Sequence, residues 1–130
     1  MSSVDVADAT VFIVGGDSGI GLSVAHHFVR VGTQRIGLIG RNAEKVEAAA
    51  RKLFESASGI WALSAVGDLS SPTDAHRLVA ELTASLGDAD ILVNCLRDAD
   101  AVSDAVAESM RRQGSGIVIN VADVAEGPSC

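Results

Sequence analysis

The sequence predicts an α/β domain built on a parallel sheet, and three observations carry that expectation. Short β-branched runs alternate with longer stretches of helical period, the pattern of βαβ units. The first run, Val11-Phe12-Ile13-Val14, leads straight into a glycine-rich turn and then a helix-like pattern. Hydrophobic residues make up 48% of the chain but aromatics only 3%, so the core must be aliphatic and rich in alanine. A length of 130 residues fits one domain over residues 1–130. A chain of that size buries roughly two-thirds of its unfolded surface.

The elements follow in order. Thr10–Val14 is the first strand, and the helix after the glycines places Ile20, Val24, Phe28 and Val31 on one apolar face before Gly32 ends it. Arg35–Ile39 is the second strand. Asn42 is a good N-cap for a second helix that buries Val46, Ala49, Ala50 and Leu53. Ile60–Val66 is the third strand, with Trp61 at its start expected to pack. Ser71-Pro72-Thr73-Asp74 combines a cap serine, a proline in the first turn and an acid three residues on. The helix it opens buries Ala75, Leu78, Val79 and Leu82 and stops near Gly87. Asp90–Cys95 is the fourth strand. A fourth helix through Val102, Ala105, Val106, Ser109 and Met110 ends at Gly114, and Ile117–Ala122 is the fifth strand. Right-handed crossovers are expected throughout.

Bulk properties exclude several classes of partner. The net charge is −7, there is no basic stripe and stacking aromatics are few, so nucleic acid is not expected to bind. The same charge opposes an anionic cofactor at long range, so such a site needs local positive groups. Two cysteines, Cys95 and Cys130, are too few for a disulfide framework and suit a reduced, cytoplasmic chain. Met1-Ser2-Ser3-Val4-Asp5 lacks the order of a signal peptide. No apolar run approaches the roughly 18 residues of a membrane span.

Chemistry concentrates in the glycine turn. Gly15-Gly16-Asp17-Ser18-Gly19-Ile20-Gly21 lies between a strand and a helix. In that context glycines let the backbone turn tightly and approach a pyrophosphate, which the helix N-terminus then receives. The spacing Gly15-x-x-x-Gly19-x-Gly21 differs from the commoner Gly-x-Gly-x-x-Gly. About twenty residues on, where a Rossmann-type unit that prefers NAD carries an acid for the ribose hydroxyl, this chain has Gly40-Arg41-Asn42. Arginine suits the 2′-phosphate of NADP, although Asp17 works against a nearby phosphate and NAD stays open. Asp68-Leu69 closes the third strand, where the acid either accepts from an adenine amino group or caps the turn before Ser71. Asn94 and Cys95 close the fourth strand at the edge where ligands sit in such sheets, as strand-end stabiliser and buried thiol or as site groups.

Together these residues resemble the short-chain dehydrogenase/reductase family. The resemblance rests on Val14 through Gly21, Gly40-Arg41-Asn42, Asp68-Leu69, Asp90-Ile91-Leu92-Val93-Asn94 and Met110 through Val121. It covers nearly the whole chain in order. It implies a doubly wound parallel sheet of about five strands in the order 3-2-1-4-5, and an NAD(P)(H)-dependent oxidoreductase acting on alcohol or carbonyl groups. The cofactor residues it implies are Gly15, Asp17, Ser18, Gly19, Ile20, Gly21, Arg41, Asn42, Asp68, Leu69 and Asn94.

The departures are equally informative. Where the family continues Asn-Asn-Ala-Gly, this chain reads Asn94-Cys95-Leu96-Arg97. Only Leu96–Ser103 separates the fourth strand from what resembles the next helix, so the family's helical Asn is missing. Ala122-Asp123 stands where the family places its catalytic Ser, and the chain ends at Cys130, before the Tyr-x-x-x-Lys pair and the C-terminal strands. The sequence has no tyrosine, and its only lysines are Lys45 and Lys52. The family's proton transfer needs a phenol of lowered pKa, so no catalytic residue is assigned. Three readings result: an NADP(H)-binding family member whose catalytic half is absent from this chain, a nucleotide-binding pseudoenzyme or interaction module, and an enzyme with a different acid, Asp123 or Cys95. The fifth strand's edge is expected to be exposed or paired with a second copy.

The remaining polar clusters are read as solvated. His26 and His27 point about 100° apart on a helix and cannot chelate one metal well. His76 is alone, and Asp98, Asp100 and Asp104 suit a helix start.

Overall fold

A computed structural model of the chain describes residues 8–16, 19–96 and 99–121. Its elements are β1 (Thr10–Val14), α1 (Gly19–Arg30), β2 (Arg35–Gly40), α2 (Ala43–Ser56), β3 (Trp61–Val66), α3 (Pro72–Leu86), β4 (Ile91–Asn94), α4 (Asp100–Gln113) and β5 (Ile117–Asn120). The strands form one sheet in the order β3-β2-β1-β4-β5, with every neighbouring pair parallel. The α/β expectation and the strand order therefore hold. Strand ends differ from the sequence expectation by single residues, where pairing frays, and Ala122, expected to end the fifth strand, lies outside the described residues.

Alternation along the buried strands divides the core into two layers. Phe12, Val14, Ile39 and Leu92 face a cluster completed by Leu78, Leu82, Val102, Val106 and Met110 of α3 and α4. Val11, Ile13, Ile36, Leu38, Ile91 and Val93 face the other cluster, with Ala25, Val46, Ala49 and Leu53 of α1 and α2. Period-two alternation with helices on both faces makes the central strands apolar throughout.

The helix caps follow their residue types. Asn42 Oδ1 accepts from the Lys45 N–H at 3.1 Å, and Ser71 Oγ accepts from the Asp74 N–H at 3.3 Å. Pro72 occupies the first turn of α3, where its missing N–H removes no helical bond.

Three expectations need correction. Ile20 and Val31 are exposed, and α1 instead buries Gly21 and Ala25, with Val24 and Phe28 half-buried. Small residues bring the helix close to the sheet, so its contact face is centred on them. Trp61 is 64% exposed, because β3 is an edge strand and its first residue lies beyond helix cover. Helix α4 begins at Asp100, inside the segment 96–103 expected to be a connection. The acid in its first turn complements the helix dipole there.

Candidate nucleotide-binding site

The ends of β1, β2 and β3 lie side by side at the carboxyl edge of the sheet, because Val14 pairs with Ile39 and Gly40 with Val66. The chain reverses direction immediately after β1. Gly15 adopts φ +86°, and its N–H donates to the Ile39 carbonyl at 2.7 Å, with Gly16 N–H on the same oxygen at 3.3 Å. A positive φ favours glycine, so the turn is built into the sequence.

The following glycines have opposite environments. A Cβ at Gly21 would stand inside contact distance of the Gly15 carbonyl, so this glycine lets α1 rest against the turn. Among the described residues, a Cβ at Gly19 would meet nothing within 4 Å. The first residue of α1 therefore faces open space, with no acidic residue in the helix's first turn. That is the arrangement an anion can approach at a helix N-terminus. Ile20 is exposed beside it. Asp17 and Ser18, expected to contribute to this loop, lie outside the described residues, as does Asp123.

At the end of β2, Arg41 and Asn42 are both exposed. Asn42 is occupied as the α2 cap. Asp68, at the end of β3, has its Oδ1 committed to Ser70, accepting from the hydroxyl at 2.7 Å and from the N–H at 3.0 Å. These bonds from Ser70, with a smaller contribution from the Arg41 charge, hold the Asp68 carboxyl below its ordinary value. The geometry shows Asp68 closing this turn and leaves its charge beside Arg41. Leu69 is fully buried, so its side chain packs in the core and only its backbone can meet a ligand.

On the other side of β1, Asn94 is buried and ties three segments together. Its Nδ2 donates to Ser103 Oγ at 3.1 Å and to Asn120 Oδ1 at 3.4 Å, and its Oδ1 accepts from the Leu96 N–H at 3.1 Å. This is the strand-end stabiliser. Burial pushes the Cys95 thiol up, so it stays protonated near neutrality. Neither the Ser103 partner nor the seat of Leu96 against Gly15 was foreseen from sequence, since each depends on how the chain crosses over. Among the described residues no group of His, Cys, Asp or Glu could hold a metal ion, and no helix is long and apolar enough to cross a membrane. His76 is exposed, its Nδ1 2.8 Å from the Pro72 carbonyl.

Comparison with known proteins identifies the family and the fold. The family model described as short chain dehydrogenase matches residues 9–96. The chain is 36% identical over 88 residues to mouse (Mus musculus) peroxisomal 2,4-dienoyl-CoA reductase, covering 68% of this chain and 30% of that protein. It superposes on L-sorbose reductase from Gluconobacter frateurii complexed with NADPH and L-sorbose with a TM-score of 0.73 at 27% identity, covering 86% of this chain and 51% of that one. It shares its fold with NAD+-bound xylitol dehydrogenase, with a TM-score of 0.82 at 24% identity, over 95% of this chain and 56% of that one. The chain therefore spans about a third of the curated relative and about half of the solved chains.

Proposed function

The chain belongs to the short-chain dehydrogenase/reductase family, and on that premise we propose that it is an NADP(H)-binding unit that does not by itself complete the family's proton transfer. The observation that carries this reading is the contrast between Gly21, pressed onto the Gly15 carbonyl, and Gly19, which opens onto solvent. A strand, a left-handed glycine and an open helix N-terminus form a cradle that fits a pyrophosphate. Members of this family bind NAD(H) or NADP(H), and the solved relatives include one bound to NAD+ and one complexed with NADPH.

The choice of NADP(H) rests on Arg41. Its guanidinium stands at the end of β2, with Lys45 in the first turn of the helix that follows. A planar donor fork suits the 2′-phosphate better than the ribose hydroxyl. Glu44 in the same turn and Asp68 beside Arg41 balance part of this positive charge. When bound, the cofactor supplies a hydride; what this chain supplies is the cradle and the charge. With no tyrosine in the sequence and the two lysines both on α2, the residues at hand offer no phenol–lysine acid. A reduced, cytoplasmic setting and self-association through β5 complete the reading.

NADPH and NADH fluorescence titrations, with an assay of carbonyl reduction, test it. A charge-assisted bond of about 1.5–3 kcal/mol gives NADPH a roughly ten- to hundredfold advantage over NADH. Arg41→Ala should abolish that advantage while leaving NADH binding in place. Turnover by the wild-type chain would overturn the binding-only reading. Absence of binding for both nucleotides at millimolar concentration would overturn the cofactor assignment.

A further inference from the structure

The chain passes from β3 to α3 through residues 67–71, a loop whose Asp68 stands beside Arg41. Strand β3 lies at one edge of the sheet, so β2 supports this loop from one side. There the Gly67 N–H donates to the Gly40 carbonyl at 3.3 Å, directly before Arg41. The other support comes from α3. Asp74, in the first turn of α3, accepts the Asp68 N–H on Oδ2 at 2.9 Å. The Asp68 carbonyl in turn accepts from the Ser71 N–H at 3.1 Å. Both hydrogen-bonding groups of the Asp68 backbone, and the N–H before them, are therefore fixed.

An acid three residues after a cap serine commonly reaches back to the backbone N–H of that serine. Asp74 reaches further. The Ser71 N–H is taken by the Asp68 carbonyl, and the Asp74 carboxylate passes on to the Asp68 N–H. Its bond thus ties the helix to the strand end. Arg77, one turn on, completes the hold. Its Nη2 lies 3.6 Å from Asp74 Oδ2 and donates to the Val66 carbonyl at 3.4 Å, while Nη1 donates to Glu81 Oε2 at 3.1 Å. Gly67 shows how closely the pair sits on the backbone. A Cβ there would stand 2.8 Å from Arg77 Nη2 and 3.0 Å from Asp74 Oδ2.

A nucleotide whose 2′-phosphate meets Arg41 has its ribose over the end of β2, and the loop after β3 is the next surface outward on that side. We propose that Asp74 is a positioning residue for this nucleotide: through the Asp68 N–H it sets the backbone of the β3–α3 loop as the wall against which the adenosine half rests. The proposal rests on the NADP(H) reading above and adds to it a residue that touches no ligand. Charge alone argues for the opposite effect. A carboxylate on this side of the cleft repels an anionic ligand, so removing it would tighten binding if its hydrogen bond did nothing.

Calorimetric titration of the full chain with adenosine 2′,5′-bisphosphate, NADPH and NADH tests it, with each variant held at a temperature where circular dichroism shows it folded. Asp74→Ala should weaken all three by about tenfold, leaving the ratio of NADPH to NADH affinity unchanged because Arg41 is untouched. Asp74→Asn keeps an oxygen that accepts from the Asp68 N–H, and should stay within about threefold of wild type. Val79→Ala removes packing further along the same helix, and should lower stability with no change in affinity. Unchanged or tighter binding by Asp74→Ala would overturn the proposal and leave the NADP(H) reading intact. So would an equal loss in Asp74→Asn, or a loss confined to NADPH. No binding of any of the three nucleotides by the wild-type chain would overturn the NADP(H) reading, and this proposal with it. Amide exchange in the wild-type chain needs no variant. Saturating bisphosphate should slow exchange of the Gly67 and Asp68 N–H groups by about tenfold or more. Unchanged rates at both would overturn the proposal, so an Asp74→Ala chain that fails to fold leaves the test standing.

Discussion

At the scale of single residues, the two glycines of α1 separate folding from binding. Gly21→Ala forces a methyl into the Gly15 carbonyl, and the backbone of turn and helix must part to admit it. Overpacking of this kind costs about 1–3 kcal/mol, so the variant should unfold at clearly lower denaturant concentration and also lose nucleotide binding. Gly19→Ala meets nothing, so its stability should stay the same or rise by up to about 1 kcal/mol. Its added methyl nevertheless points into the space left for a phosphate, and nucleotide affinity should fall. Equal losses of stability in the two variants would contradict this division. Asp68 adds a pH dependence. Its carboxyl is held below the ordinary value by Ser70 and then by Arg41, so the folded chain binds that proton less readily than the unfolded one. The stabilisation is present above the ordinary carboxylate pKa and is lost as pH falls through the lowered value. Denaturant titrations should therefore show a weaker acid-side decline in Asp68→Asn than in wild type, with the curves meeting at the lowest pH; parallel curves would rule the contribution out. The glycine turn and the Asn42 cap were legible because each is local to a strand–turn–helix. Leu96 on Gly15 was not. Nothing in its spacing says which of its neighbours across the sheet it will touch.

At the scale of elements, the helices with strong caps were the most legible. Asn42 and Ser71 cap α2 and α3, and every apolar residue assigned to those two buried faces is buried. Ser71→Ala should cost about 1 kcal/mol, the usual worth of a cap serine. Leu78→Ala, which empties a fully buried site between α3 and the sheet, should cost about 2–5 kcal/mol. Equilibrium denaturation of the two variants measures both, and a Ser71→Ala loss as large as the Leu78→Ala loss would mean the cap does more than satisfy one N–H. Helix α1 was read less well, and the reason is physical. Periodicity ranks side chains by apolar size, so it favoured Ile20 and Val31, whereas the real contact is made by Gly21 and Ala25, whose smallness allows close approach. Trp61 misled in the same way: a large aromatic at a strand start suggests packing, but an edge strand has a neighbour on one side only.

At the scale of the whole molecule, the parallel α/β sheet was legible from the alternation of elements and its order β3-β2-β1-β4-β5 from the family resemblance, and that order leaves β5 at one edge. Ile117, Val118 and Ile119 are 43, 41 and 41% exposed. Consecutive strand residues point to opposite faces, so both faces of this edge present aliphatic surface, and among the described residues no strand pairs with its outer side. Natural edge strands are usually blunted by charge, proline or a bulge, and Ile117-Val118-Ile119-Asn120 carries none of the first two. A second copy of the chain pairing along β5 would remove that surface from water. The sedimentation coefficient of the wild-type chain should therefore rise with concentration, and Ile119→Lys should suppress the rise. The substitution lies at an exposed position, where a change in stability stays within about 0.5 kcal/mol. Because β5 sits at the opposite end of the strand order from β2 and β3, Ile119→Lys should also leave adenine-nucleotide binding unchanged. A wild-type chain that remains monomeric at high concentration would sink the association. An Ile119→Lys chain that still associates would move the contact to another surface, and the exposed Trp61 and Phe54 near the opposite edge would be the next to substitute.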